Sequence, residues 1–514
     1  MNISYNWLRN YLNVNLPTEE VSQLLTDIGL EVEGVKEVES VKGGLKGVVI
    51  GEVMSKIQHP NADRLSVTTV DIGAEELLQI VCGAPNVAAG QKVPVATVGT
   101  VLYDGDESFK IKKGKIRGEV SLGMICAEDE LGLGKGHDGI MVLDATAKVG
   151  TPAAEYFKLE SDIVFEIGLT PNRSDAMGHI GVARDLLTAL NHKGEKLNMC
   201  RPSVENFKIA NTSKTIAVEV KNTDLCLRYS GVSISGVTVA DSPDWLQKRL
   251  KAIGLTPINN IVDATNYVLH ETGQPLHAFD IAKIEGNKIV VTTLKNNTKF
   301  ISLDEMERKL SVTDLMICNV KKPMCIAGVF GGLHAGVTKN TKDIFLESAY
   351  FNPVSIRKTA KRHNLSTDAS FRFERGCDPN ITVYALKRVV LLIAEIAGGK
   401  IASEITDIYP SKIEHFKVAL NYAKMDALIG EVIDRKAVKA ILTDLEIEIK
   451  KETKDGLSLL VPPFRADVQR EVDVIEEILR IYGYNTVAIP SKLNTSIFSA
   501  AKVNPEEIRN IGIA

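Results

Sequence analysis

Val48-Val49-Ile50-Gly51-Glu52-Val53, Leu78-Gln79-Ile80-Val81 and Lys92-Val93-Pro94-Val95-Ala96 decide how the first part of the chain is read. Each run is short and rich in β-branched side chains, which suit a pleated, half-buried surface better than a helix. Glycines punctuate the intervals between them. Short strands with glycine turns over about 100 residues predict a small barrel or sandwich, of which an OB-type barrel is one member.

Outward from this segment the periodicity changes. Before it, Pro17-Thr18-Glu19-Glu20 offers a helix start, Val21, Leu24, Leu25 and Ile28 recur on one face, and Gly29 ends the run. So short a piece cannot be a domain, and it is expected to pack on a later part of the chain. After the strand-rich segment, residues 165–190 turn helical through Val182, Leu186, Leu187 and Leu190. Residues 216–379 mix strand-like and helix-like runs, which predicts an α+β or α/β domain. A helix carrying Leu386, Val389, Val390, Ile393 and Ile396 follows, before Gly398-Gly399.

A last module spans residues 416–484. Residues 435–445 read as a helix and 446–450 alternate like a strand. Lys454-Asp455-Gly456 is a turn, 457–461 a second strand and 473–482 a helix, so the module is winged-helix-like. Beyond Pro490 periodicity is lost. The expected organisation is multidomain α+β, with a helical segment at 1–38, an OB-type barrel at 39–150 and a helical connector at 151–210. An α/β domain at 211–400, a winged-helix-like module at 408–485 and a tail at 486–514 complete it.

Composition sets the outer bounds. The 514 residues make room for three or four domains at roughly 150 residues each. A 44% apolar and 25% charged chain is globular in type. A formal net charge of −4 excludes a general nucleic-acid coat, so any polyanion must meet local patches. The seven cysteines are scattered, with no C-x-x-C pair, which argues against a disulfide framework and a thiolate zinc site. The start lacks a basic-then-apolar signal, and the apolar run 389–394 stops at Glu395, far short of a bilayer span. A cytoplasmic chain without a membrane partner is expected.

Three constellations carry possible chemistry. Lys110, Lys112, Lys113, Lys115 and Arg117 interleave with Phe109, Ile111 and Ile116. On one strand, alternate cations would line one face and neutralise a phosphate backbone; the plain alternative is a lysine-blunted edge strand. Asp467, Asp473, Glu476 and Glu477 gather carboxylates of the kind that hold Mg²⁺, with Asp473 facing Glu476 and Glu477 at i+3 and i+4. Acids at a helix start, favoured by the helix dipole, explain them without any ion. The third constellation runs from Thr265-Asn266 through His277, Ala327-Gly328-Val329-Phe330-Gly331-Gly332 and Glu347 to Thr367-Asp368-Ala369. Glycines there admit a ligand close to the backbone, and the polar side chains suit a hydrolase pocket, a sugar site or a purely structural role. Gly132-Leu133-Gly134-Lys135-Gly136 lacks P-loop spacing, no G-x-S-x-G or H-E-x-x-H occurs, and the basic run at 357–363 fits a solvated helix face.

At these residues the sequence resembles the bacterial-type β subunit of phenylalanine–tRNA ligase, collinearly over nearly its whole length. The resemblance rests on Tyr5-Asn6-Trp7-Leu8, His59-Pro60-Asn61-Ala62-Asp63-Arg64-Leu65, Cys82-Gly83-Ala84-Pro85-Asn86 and Thr170-Pro171-Asn172-Arg173-Ser174-Asp175. Ile116-Arg117-Gly118 with Ser121, Gly123 and Met124, Gly181-Val182-Ala183-Arg184-Asp185, Ile258-Asn259-Asn260-Ile261-Val262-Asp263 and Ser370-Phe371-Arg372-Phe373-Glu374-Arg375-Gly376 complete it. It implies that the third constellation is an editing pocket hydrolysing tyrosine mistakenly attached to tRNA(Phe). Glu347, with the backbone at Ala327-Gly328, would read the phenolic hydroxyl, and His277 and Thr265 would position the ester and water. Asn266, Gly331, Thr367 and Ala369 would line the pocket. The resemblance further implies tRNA contact by the barrel, Mg²⁺ at the four carboxylates, and an α subunit as partner in an α₂β₂ tetramer. ATP would be used by the assembled enzyme at the α subunit and not bound here. Family members continue into a catalytic-like and an anticodon-binding domain without counterpart here, so a truncated chain is expected. A tRNA-binding scaffold with an inactive pocket is the rival reading, and an unrelated hydrolase carrying a tRNA-binding barrel a third.

Overall fold

The computed structural model describes residues 1–105, 107–134, 136–159, 161–489 and 505–513. Two compact units emerge. One comprises Met1–Leu187, Lys196–Glu414 and Pro463–Asp467; the other comprises Thr188–Glu195, His415–Pro462 and Val468–Ala514. Both mix helices and strands, so the chain is a multidomain α+β protein.

The larger unit begins with a strand, Asn2–Ser4, that pairs antiparallel with Ser161–Gly168, which in turn pairs with Glu31–Glu39. The predicted helix is Thr18–Asp27, with Val21, Leu24 and Leu25 buried, and Gly29 takes the left-handed φ of 84° just past it. The N-terminal piece does pack on later chain. Trp7, fully buried, stacks between His179 at 4.0 Å and Tyr267 at 4.3 Å, and its Nε1–H donates to Tyr11 Oη.

The valine-rich runs form a five-stranded antiparallel sheet in the order Gly123–Ile125, Lys92–Thr97, Val48–Gln58, Ser66–Asp71, Leu78–Cys82. Its two edges approach each other. The Leu122 N–H donates to Gln79 O at 2.8 Å and the Val81 N–H to Ser121 Oγ at 3.1 Å, so the sheet is a nearly closed, barrel-like one. Val53, Val70, Ile80, Val93, Val95 and Ile125 bury one face. Gly51 is required where strands pack tightly: a Cβ there would lie 2.9 Å from both Val70 Cγ1 and Val95 Cγ2.

Two further five-stranded sheets share the next core. One runs Ala217–Val220, Lys288–Thr293, Leu315–Cys318, Pro323–Ile326, Phe330–Gly331, with only the first pair parallel. In the other, Asp343–Phe351 is central, flanked by Leu276–Asp280 and by Cys226–Ser235, whose far edge carries Lys400–Ile401 and Thr406–Ile408. Phe279, Ile289, Val291, Met316, Ile326, Phe345 and Phe351 fill the space they enclose. The helix Asn260–Thr272 starts where Asn259 accepts from the Ile261 and Val262 N–H groups and stops at Gly273, φ 80°. The Asn-Asn-Ile motif is therefore a helix cap.

The smaller unit has a three-stranded sheet in the order Phe416–Asn421, Gly456–Val461, Glu448–Thr453, with helices Tyr422–Ile429, Arg435–Asp444 and Glu471–Tyr482. The first wing strand starts two residues later than alternation predicts and extends to Thr453, because Glu446 at φ 62° still belongs to the helix stop. The last helix starts at Glu471, ahead of Asp473, because the Asp473 carboxylate accepts from the Gln469 and Arg470 backbone N–H groups and so caps its first turn. The tail beyond Pro490, where periodicity is lost in the sequence, falls largely outside the described residues; within them Pro505–Ile513 form a helix with proline at its first position.

Candidate active site

A cavity of about 280 Å³ opens between the two sheets of the third core and the helix Asp368–Phe373. It is lined by Asn266, His277, Gly328, Gly331, Glu347, Thr367 and Ala369, seven of the nine expected pocket residues. Leu276, Leu303, Cys325, Phe330 and Phe373 add a mostly apolar wall. The two expected residues that do not line it are Ala327 and Thr265. Ala327 is buried behind Gly328, and Thr265, also buried, spends its hydroxyl on Val262 O at 2.6 Å.

Strand register explains how residues 70 positions apart in sequence meet. His277 in Leu276–Asp280 stands directly opposite Glu347 in Asp343–Phe351, and on its other side Glu347 faces Gly231. Directly opposed side chains on one sheet face lie within contact range. The cavity floor is thus a His–Glu pair held by backbone pairing rather than by loops.

Glu347 is buried, its Oε2 has no hydrogen-bond partner, and no cation bears on it. Burial pushes its carboxyl up to about 8, with the Tyr229 hydroxyl pulling weakly the other way. At neutral pH it is therefore mostly the neutral acid, able to donate as well as accept. Burial pushes the His277 imidazole down to about 4. It stays neutral, and its ring packs edge-on to Phe279 at 4.5 Å. A base that weak orients a water better than it deprotonates one.

The glycines are there for space and backbone angle. Gly328 takes φ +67°, and a Cβ on it would press at 2.9 Å on Phe351, Phe373 and Ile356. A Cβ on Gly331 would lie 2.8 Å from Leu303 Cδ1 and 3.3 Å from His277 Cε1, inside the cavity. Thr367 is the helix cap: its Oγ1 donates to Val329 O at 2.9 Å and accepts from the Ser370 N–H at 3.0 Å. Arg372, also buried, ties this helix to Met177 O and pairs with Asp368 at the helix's own start. Sequence reading missed Leu303 and Tyr229. Leu303 sits in a short hairpin without periodicity, and Tyr229 alternates like any core strand residue.

The basic run does not form one strand. Lys110 ends the strand Glu107–Lys110, Lys112 and Lys113 lie in the connection, Lys115 is in the strand Gly114–Ile116, and Arg117 turns at φ 49°. Alternation breaks because Ile111 is buried and both its N–H and its C=O are taken by the Gly99–Thr100 turn. All five cations are exposed. Lys110 and Lys112, with Phe109 and Ile116, line a larger cleft of about 590 Å³. His59 bonds Ile116 O at 3.0 Å and Asn61 donates to Arg117 O at 3.2 Å, so the His-Pro-Asn motif anchors this hairpin.

The four carboxylates are divided between the two units. Asp473 is held by Arg470 at 2.7 Å and Glu477 by Arg480 at 2.7 Å, while Glu476 is exposed. Asp467 belongs to the other unit, where it accepts from Asn172 at 2.9 Å. Among the described residues no three His, Cys, Asp or Glu side chains are grouped to hold a metal. Within the smaller unit Asp473 and Glu477 are already neutralised by arginine, so the three carboxylates it holds do not fit a magnesium ion. No described helix is long and apolar enough to cross a membrane.

Family models match three segments: a tRNA binding domain at residues 48–152, a B3/4 domain at 225–398 and a tRNA synthetase B5 domain at 418–484. The basic run at 110–117 falls in the first and all of the cavity lining in the second. Among curated proteins, the phenylalanine–tRNA ligase beta subunits of Bacteroides thetaiotaomicron, Bacteroides fragilis and Porphyromonas gingivalis are 58%, 57% and 54% identical, each over 97% of this chain. The chain spans 61% of the length of each. Over nearly all of its residues, and through three family models in succession, the chain is similar to phenylalanine–tRNA ligase beta subunits.

Proposed function

We propose that this chain serves as the β component of a phenylalanine–tRNA ligase and that its cavity hydrolyses tyrosine wrongly joined to tRNA(Phe). The observation that carries the reading is Glu347: a buried carboxyl, mostly neutral at pH 7, with one oxygen lacking a hydrogen-bond partner, in the lining of a cavity whose other polar side chains are Asn266, His277, Thr367 and Asp368. A phenolic hydroxyl would satisfy that carboxyl. A phenyl ring would leave it unpaired, at a cost of about 1–3 kcal/mol. Selection thus falls on the one atom that separates tyrosine from phenylalanine.

In the reaction, a water oxygen attacks the ester carbonyl, the bond to the ribose oxygen breaks, and the ribose hydroxyl takes up the proton. Tyrosine and uncharged tRNA leave. His277, neutral, holds the water by accepting from it, and Gly328 and Gly331 let the ester approach the backbone. Placement supplies the rate, since no side chain at the cavity is a strong base at neutral pH.

The rest of the reading follows the family. The nearly closed barrel is OB-type and meets tRNA through Lys110, Lys112, Lys113, Lys115 and Arg117. The third core is the editing domain, and the smaller unit is winged-helix-like. The α subunit is the partner, in an α₂β₂ tetramer in the cytoplasm, and uses ATP for charging.

The test is deacylation of Tyr-tRNA(Phe) and Phe-tRNA(Phe) by the chain, alone and with an α subunit, beside Glu347→Ala. Preference for the tyrosyl ester, lost by at least about tenfold in Glu347→Ala, is expected. Equal hydrolysis of both esters by parent and variant would overturn the reading. Tight tRNA binding without any hydrolysis would support the scaffold instead.

A further inference from the structure

Two buried polar atoms beside the cavity, Glu347 Oε2 and the Tyr229 hydroxyl, have no hydrogen-bond partner of standard geometry, yet each bears on the ionisation of the other. Tyr229 is completely buried in the strand Cys226–Ser235. It pairs with Ala349 while Gly231 pairs with Glu347, so Tyr229 and Glu347 are diagonal neighbours on one face, within reach of an aromatic side chain. Gly231 leaves the intervening position open; a Cβ there would run into the Phe345 ring. The groups that face this pair are Cys226 on the same strand, Cys325 on Pro323–Ile326, His277 on Leu276–Asp280 and Asp368 at the cavity mouth. None is a cation. Tyr229 is not itself in the cavity lining, so Glu347 stands between it and any ligand.

A carboxylic acid has one oxygen that donates and one that only accepts. In an apolar site nothing but a neighbouring donor decides which is which. Tyr229 is that donor. We infer that Tyr229 is a positioning residue: its hydroxyl donates to the inner oxygen of Glu347, fixing the acidic proton on the outer oxygen, where it meets the phenolic oxygen of a bound tyrosyl group. The ligand then completes a chain from its own hydroxyl through Glu347 to Tyr229. A phenylalanyl group leaves that chain open. This rests on the editing reading above and names a residue that sets its selectivity.

The test compares kcat/KM for tyrosyl and phenylalanyl esters of tRNA(Phe) between pH 6 and 9, for the parent, Tyr229→Phe, Glu347→Ala and the double variant. Tyr229→Phe should lower the tyrosyl preference about tenfold at neutral pH while leaving phenylalanyl hydrolysis unchanged. The pH at which the preference breaks should move upward, because the Tyr229 hydroxyl holds the Glu347 carboxyl down. In the Glu347→Ala background Tyr229→Phe should add nothing. A ¹³C-carboxyl titration of Glu347 in the parent and in Tyr229→Phe checks the same shift without activity. If Tyr229→Phe slows both esters equally, or leaves preference and midpoint untouched, the inference is overturned while the editing reading stands. If the parent shows no preference at all, both fall together.

Discussion

Replacing Glu347 with Gln should change how stability depends on pH, in a direction opposite to that of an ordinary carboxylate. The folded chain holds the Glu347 proton up to about pH 8, whereas an unfolded glutamate releases it near 4.5. Below 4.5 both states are protonated and the stabilising contribution is complete. As pH rises from there the folded state carries the extra proton, and stability is lost until about pH 8. The slope is about 1.4 kcal/mol per pH unit, so the window amounts to about 5 kcal/mol. His277 acts the other way, since its imidazole titrates at about 4 when folded and 6.5 when free. The two slopes offset one another up to about pH 6.5. His179, pushed by burial down to about 3, steepens the acid side. The parent should therefore be most stable near pH 6.5 and weaken toward pH 8. Urea unfolding, followed by fluorescence of Trp7 and Trp245, reads this directly, because the only two tryptophans lie in the unit that holds Glu347. In Glu347→Gln, which stays neutral, the decline above pH 6.5 should vanish. A parent-minus-variant difference that stays constant from pH 5 to 8 would refute the account of a neutral buried acid.

Other perturbations probe separate features. Gly331→Ala should cut hydrolysis of the tyrosyl ester by about tenfold or more with little loss of stability, since the new methyl presses on half-exposed Leu303 and on His277; deacylation and urea unfolding together check it. Arg465→Ala should destabilise the larger unit by about 3–5 kcal/mol, because Asp175 and Asp185 lose one of their buried cations; the same tryptophan signal reports it. Lys110→Glu with Lys112→Glu should weaken tRNA binding and reduce the slope of log affinity against log salt by about two, as read by fluorescence anisotropy across a salt series.

Much of the site was legible in residue types before any coordinates. His277, Glu347 and the glycines of residues 327–332 stood out as chemistry-bearing, and His277, Glu347, Gly328 and Gly331 line one cavity. The direct opposition of His277 and Glu347 was not legible, because register depends on contacts between strands far apart in sequence. Tyr229 escaped for the same reason. Thr265 looked like a ligand-facing hydroxyl, but a threonine inside a helix has the carbonyl of an earlier turn within reach, and that bond won. The acidic helix shows a different failure. Asp473 and Glu477 have the expected spacing, yet Arg470 and Arg480 also stand three residues away, and salt bridges at that interval satisfy the carboxylates without an ion. The basic run misled through Ile111, whose burial interrupts a pattern that charge alone suggested.

The segment Pro463–Asp467 lies among residues of the smaller unit in sequence but belongs to the larger one. Arg465 is buried there between Asp175 and Asp185, where burial would raise the Asp175 carboxyl but Arg173 and Arg465 hold it at about 2, and Arg184 lies 4.2 Å over the Phe464 ring. Chain membership accordingly changes after residues 187, 195, 414, 462 and 467. A gene cut after residue 414 would not release the larger unit intact, since it would discard the arginine that two of its buried aspartates rely on. The two units are thus poor candidates for exchange by recombination at a single junction. Lineages that reshuffle them must carry this five-residue insert along, or replace Asp175 and Asp185 at the same time.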